Sequence, residues 1–128
     1  MFVKWVTVCY SRCMNERTIN VAVCPAYHRA VELIGRRWTG AILQVMAAGA
    51  LRFGDIAAAI PGLSARMLSE RLKELESEGL ITRSVYAEHP VRIEYQLTAK
   101  GRDLEGVMAS IGAWAHRWLV PADAALAS

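Results

Sequence analysis

The residue with the sharpest chemistry is Cys24, directly before Pro25 and one turn ahead of His28 and Arg29. A helix N-terminus and neighbouring cations lower a thiol's pKa, and the thiolate is the nucleophilic, oxidisable form. The other two cysteines, Cys9 and Cys13, also lie in the first fifth of the chain. An odd count without a secretion signal points to free thiols and not to a disulfide framework. Together with His28 they give Cys9-x3-Cys13-x10-Cys24-x3-His28, which is the spacing of neither a zinc ribbon nor a finger. No metal and no other cofactor is expected. The chain has no Gly-rich phosphate loop, metal-binding helix or nucleophile elbow. A Cys–His pair without an orienting acid is a weak basis for catalysis. No catalytic residue is therefore assigned, and the chain is not expected to be an enzyme.

Composition and charge direct attention elsewhere. The 128 residues are 54% hydrophobic and 21% charged, enough for a packed core and unlike a disordered chain. The formal charge is only +3, but its distribution is uneven. Arg29 to Arg71 holds six arginines (29, 36, 37, 52, 66, 71) against Glu32, Asp55 and Glu70, whereas Leu72 to Leu119 holds six bases and seven acids. A phosphate-facing surface belongs in the first of these stretches. No apolar run approaches the ~20 residues that span a bilayer, and MFVKWVTVCY lacks the basic start and cleavage site of a signal peptide. The chain reads as cytoplasmic, with no membrane partner.

The elements that position these residues follow from periodicity and punctuation. Helical pattern begins only after Cys24, so residues 1–23 read as an extension, with Met14 as an alternative start; 24–119 read as one domain and 120–128 as a tail. Pro25 suits a first helical turn, and a short helix runs from Ala26 to Ile34, ending at Gly35. Trp38 to Ala48 is expected as a second helix, capped by Thr39 and stopped by Gly49. Leu51-Arg52-Phe53 has the composition of a strand that adds to a small sheet. Gly54 to Ile60 is a third helix, closed by Pro61-Gly62. Ser64 caps the best-marked helix, Ala65 to Glu78, which Gly79 terminates. In it Leu68, Leu72 and Leu75 form a buried stripe, with Arg66, Glu70, Lys73 and Ser77 opposite. Ile81–Tyr86 and Arg92–Leu97 form a hairpin with a five-residue tip. Thr98 caps a long last helix to about Leu119.

That order is a winged helix-turn-helix: mainly α, with a small β-hairpin wing and a C-terminal dimerisation helix. A helix fits the major groove of B-DNA, and its N-terminal dipole and free N–H groups favour phosphate. The last helix follows a fold already complete without it. Its stripe of Leu104, Met108, Ile111, Trp114 and Trp118 needs cover, which a partner's matching helix supplies, giving a homodimer on an inverted-repeat operator.

Several motifs resemble the HxlR-type regulators. They are Cys24-Pro25, Leu33-Ile34-Gly35 before Trp38-Thr39, Arg52-Phe53-x-Asp55-Ile56, and the run Ile60-Pro61-Gly62-Leu63-Ser64-x-Arg66-Met67-Leu68-Ser69-x-Arg71-Leu72-Lys73-x-Leu75. Glu78-Gly79-Leu80-Ile81-x-Arg83, Arg92-Ile93-Glu94-Tyr95-x-Leu97-Thr98 and Lys100-Gly101 continue the likeness in unbroken order. The resemblance implies a dimeric regulator of duplex DNA with the Ser64–Glu78 helix in the major groove. It implies base-edge contacts from Ser64, Arg66 and Ser69 and a wing contact from Arg92. Glu70 either accepts from cytosine or orients Arg66, and Arg52 and Arg37 reach phosphates. Arg71, nearer the buried flank, suits structural pairing at least as well as DNA contact, and Lys73 suits a solvated charge. Glu74, Glu76 and Glu78 repel phosphate, which confines DNA to the first two turns. Several such regulators sense electrophiles, quinones or oxidants through the cysteine matching Cys24; the plainer alternative is a packed, inert thiol. The rival function is a winged-helix module that binds protein and not DNA.

Overall fold

The computed structural model describes residues 24–120. Expectations placed on Cys9, Cys13, the Met14 start and the tail from 121 onward lie outside the described residues. The chain divides into two compact units, Met1–Thr39 and Gly40–Ser128.

In the first unit, α1 (Pro25–Ile34) begins at the expected proline, with Cys24 as its N-cap residue. The Gly35 N–H donates to the Val31 carbonyl at 2.7 Å and closes the helix. None of the residues of α1 is buried. Trp38 adopts φ +76°, in the left-handed region where a helix cannot begin. The second helix, α2 (Thr39–Ala47), therefore starts one residue later than expected, and Thr39 is its first helical residue and not its cap.

The second unit, from Gly40 onward, contains α2 after its first residue and the remaining elements: α3 (Phe53–Ala59), α4 (Ala65–Ser77), β1 (Ile81–Tyr86), β2 (Arg92–Leu97), α5 (Ala99–Arg102) and α6 (Leu104–Trp118). Ile42, Leu43 and Met46 of α2, Ile56 of α3, Ile60 beyond it, and Leu68, Leu72 and Leu75 of α4 are buried with Leu80 and Ile81. Burying each such side chain stabilises the fold by roughly 1.5–3 kcal/mol before entropy is counted. The predicted Leu stripe of α4 is its buried face.

The link between α3 and α4 is the Pro61-Gly62 turn. The Leu63 N–H donates to the Ile60 carbonyl at 3.4 Å, and Gly62 takes φ +86°, a value that suits glycine at the third position of a type II turn. Ser64 then caps α4, its Oγ accepting the Met67 N–H at 3.1 Å. At the other end Gly79 has φ +75°. The Leu80 N–H donates to the Leu75 carbonyl and the Gly79 N–H to that of Glu76, at 2.9 and 3.0 Å. This is a Schellman closure.

The hairpin pairs antiparallel from Ile81↔Leu97 to Tyr86↔Arg92, matching the expected strand limits. The segment Leu51–Phe53 does not become a third strand. Phe53 is drawn into α3, and what survives is one bond, the Tyr95 N–H donating to the Leu51 carbonyl at 2.7 Å. The expected single terminal helix is divided. Thr98 caps only the four residues of α5, accepting the Gly101 N–H at 3.1 Å, and Asp103 separates α5 from α6. Asp103 keeps helical dihedrals (φ −62°, ψ −22°), so the axis is interrupted without reversing. No helix among the described residues is long and apolar enough to cross a membrane.

The α5 segment is pressed against the end of α4. The Thr98 hydroxyl donates to the Gly79 carbonyl and Lys100 Nζ to that of Glu78, both at 2.6 Å. A Cβ on Gly101 would run into the carbonyl oxygen of Leu80. Gly101→Ala is therefore expected to destabilise the fold by about 1–3 kcal/mol, the usual cost of overpacking. At Gly106, an exposed α6 position, an added Cβ meets nothing within 4 Å. Gly106→Ala is expected to stabilise by up to about 1 kcal/mol through helix propensity. Urea midpoints at an unchanged m value measure both substitutions.

Candidate nucleic-acid interface

The exposed face of α4 starts at the turn. Because the Ser64 oxygen accepts a backbone N–H, its hydroxyl proton is left to donate outward. Arg66, two residues on, has a side chain 89% exposed. Its Nε lies 3.4 Å from Glu70 Oε1, one turn along, in a solvent-exposed pair of the kind that contributes little. Of the two roles open to Glu70, this geometry favours orienting Arg66. Ser69 is half-buried on the flank of the same face, and Lys73 is exposed one turn further along.

Arg71 points another way. Its Nη1 lies 3.1 Å from both carboxylate oxygens of Glu74, and only 15% of its side chain is exposed. That is the structural pairing suggested by its place near the Leu stripe. Glu74, Glu76 and Glu78 all fall in the second half of α4 or at its C-cap. Glu70 apart, the helix is thus polarised, with its positive dipole end, Ser64 and Arg66 at one end and Glu74, Glu76 and Glu78 at the other.

The two arginines expected at phosphates fall in different units. Arg52 is exposed as the N-cap residue of α3, its carbonyl accepting the Ile56 N–H at 3.0 Å. Arg37 is exposed in the first unit, its guanidinium 5.0 Å from the Trp38 ring centroid.

The wing is more constrained than its sequence suggests. Arg92 lies over the Tyr86 ring at 4.3 Å and within 3.3 and 3.5 Å of the Glu88 and Glu94 carboxylates. Tyr86, Glu88 and Glu94 were absent from the sequence-derived site. The signal for two of them was nonetheless present: period-two alternation puts Arg92 and Glu94 on one face, and hairpin register puts Tyr86 opposite Arg92.

The terminal helix buries none of its residues. Leu104 and Met108 are half-buried, while Ile111, Trp114 and Trp118 are 49, 58 and 64% exposed. Beside this stripe lies an apolar groove of about 370 Å³ lined by Gly40 and Leu43 of α2, Leu97, and Leu104, Met108 and Ile111. In α1, Tyr27 and Val31 are also exposed, at an i, i+4 spacing that the sequence pattern alone did not flag. Cys24 is a half-buried cysteine at the N-terminus of α1. His28, one turn on, has its Nε2 3.1 Å from Glu32 Oε1.

The chain is similar to known proteins in sequence and fold. Residues 33–123 match the HxlR-like helix-turn-helix family. The HTH-type transcriptional regulator YvaP of Bacillus subtilis (strain 168) is 48% identical over 99 residues, 77% of this chain and 92% of YvaP. The HTH-type transcriptional regulator YodB of the same organism is 43% identical over 101 residues, 79% of this chain and 90% of YodB. Among solved structures, the reduced form of YodB has a TM-score of 0.68 at 42% identity, covering 76% of this chain and 95% of that one. The redox regulator HypR in its reduced form has a TM-score of 0.68 at 33% identity, covering 72% and 91%. With its helix-turn-helix, its two-stranded wing and this extent of likeness, the chain belongs to the HxlR-like helix-turn-helix family of transcriptional regulators.

Proposed function

We propose that this chain binds duplex DNA sequence-specifically as a homodimer, regulates transcription without catalysis, and responds to oxidants or electrophiles through Cys24. The observation that carries the DNA reading is the polarity of α4. Ser64, Arg66 and Ser69 stand on its first two turns at the positive dipole end with Glu70 beside Arg66, and Glu74, Glu76 and Glu78 are held back along the helix. Arg52 and Arg37 supply phosphate contacts, which position the protein without reading sequence. A regulator of this kind works beside the chromosome, in the cytoplasm.

Dimerisation is supported by α6. A 15-residue helix with no fully buried residue that exposes Ile111, Trp114 and Trp118 leaves apolar surface that a second copy removes from water. A two-fold axis there sets two α4 helices against the half-sites of an inverted repeat. The redox role is supported by the place of Cys24 at the N-terminus of α1 and by the chain's relatives. YodB has been crystallised reduced, diamide-treated and quinone-bound, and HypR reduced and oxidised.

Fluorescence anisotropy on duplexes from the gene's own upstream region tests the central reading. Specific binding should weaken log-linearly with salt between about 50 and 200 mM. Absence of both specificity and a salt slope would overturn it in favour of a protein-binding module. Arg66→Ala should cost about 1–3 kcal/mol of specific affinity for each base that Arg66 reads, and equal affinity of variant and parent removes Arg66 from the recognition set. Ile111→Asp should yield a monomer by light scattering and abolish high-affinity operator binding; a dimer of parental stability would exclude α6 as the interface. Cys24→Ser should bind DNA like the reduced parent and lose any change on diamide treatment. A diamide response that survives the substitution excludes Cys24 as the sensor.

A further inference from the structure

In the hairpin, Arg92 is the first residue after the tip and pairs directly with Tyr86, the last residue before it. One face and both terminal nitrogens of its guanidinium are engaged. One face covers the Tyr86 ring, with 4.3 Å from Cζ to the centroid. Nη2 lies 3.3 Å from Glu88 Oε1 and Nη1 3.5 Å from Glu94 Oε1. Nε is closed off from solvent and has no acceptor among the described residues. The Arg92 side chain is 33% exposed and that of Glu94 only 13%, so this pair is less screened than an ordinary surface pair. Glu88 also tightens the tip through its backbone, its N–H donating to the Tyr86 carbonyl at 2.8 Å.

Charge points the same way as geometry. One guanidinium stands between two carboxylates, so the cluster carries a net charge of about −1 at neutral pH. A phosphate approaching Arg92 would meet that net negative charge and a cation whose two terminal nitrogens already face acceptors. We infer that Arg92 is a positioning residue of the wing and not a phosphate ligand. It is a strut that ties the tip, through Glu88, to both strands, through Tyr86 and Glu94, and so sets where the hairpin meets DNA. The inference rests on the DNA-binding reading above and reassigns one residue within it.

Two substitutions that preserve charge separate strut from ligand. Tyr86→Leu removes the surface on which the guanidinium lies. Arg92→Lys keeps the cation but replaces the planar fork with a compact ammonium that cannot span both carboxylates and the ring. For each variant and the parent, amide exchange over residues 85–93 is measured without DNA, and anisotropy on the upstream duplex is measured across a salt series. A strut requires faster exchange confined to the hairpin, several-fold weaker specific binding in both variants, and an unchanged salt slope. Parental affinity in either variant overturns the proposal, as does unaltered hairpin exchange. A slope that falls by about one in Arg92→Gln also overturns it, since removing a single phosphate ligand has that signature. If the parent binds no duplex, the DNA reading fails, and the exchange measurement still decides whether Arg92 holds the hairpin.

Discussion

The last carbonyls of a helix find no partner within it; those of α4 accept the N–H groups of Glu78, Gly79 and Leu80 just beyond it, and the carbonyls of those three residues are in turn taken by the segment that begins the terminal helix. Gly79 turns the chain left-handed and closes two bonds internally. The Thr98 hydroxyl takes the Gly79 carbonyl, the Lys100 ammonium takes that of Glu78, and the Thr98 N–H takes that of Leu80. Gly101 makes the approach feasible, because any side chain there would collide with the Leu80 oxygen. Lys100 also places a cation at the negative end of the α4 dipole. α4 is thus fixed at its C-terminal end to α5, while Ser64, Ala65 and Arg66 at its N-terminal end are exposed.

Much else follows from this junction. Leu80 and Ile81, immediately beyond it, are core residues, so the start of the wing is anchored by the same contacts that end α4. Leu97, on the returning strand, pairs with Ile81 and leads directly into Thr98, so both hairpin strands begin and end there. The free end of the hairpin has no core beneath it. There the Arg92 cluster, with its ring and two carboxylates, supplies the order that apolar burial supplies at the base. A second copy docked along α6 would bear on α4 through the same junction.

The helix-turn-helix was legible because its signals are local. Pro61-Gly62, the Ser64 cap, the Leu68-Leu72-Leu75 stripe and Gly79 each act through residues within one or two turns, and each appears where the pattern put it. The strand limits were equally plain, since runs with β-branched and aromatic residues flank a tip broken by Pro90. Arg71 was legible as a structural residue from its angular position beside the Leu stripe. Features set by distant residues were not. Leu51 was expected in a strand and instead contributes one carbonyl to Tyr95, because the chain turns into α3 at Phe53. The Asp103 interruption was missed because Thr98 has every mark of a cap for one continuous helix, while packing against Leu80 acts only on the folded chain.

By itself, then, the sequence determined the elements, the buried face of α4 and its polarity, since capping, propensity and helical periodicity depend on neighbours along the chain. It also determined that the terminal helix carries an apolar stripe beyond what its own domain buries. Only the tertiary structure decided which polar side chains are available and which are already engaged. Arg66 and Arg92 look alike as exposed-element arginines, yet one is 89% exposed beside a single loose carboxylate and the other is held by a ring and two acids. The physical reason is that a charge's reach depends on what stands within a few ångströms of it. For Arg92 those neighbours come from the opposite strand and the tip, which meet it only when the hairpin closes.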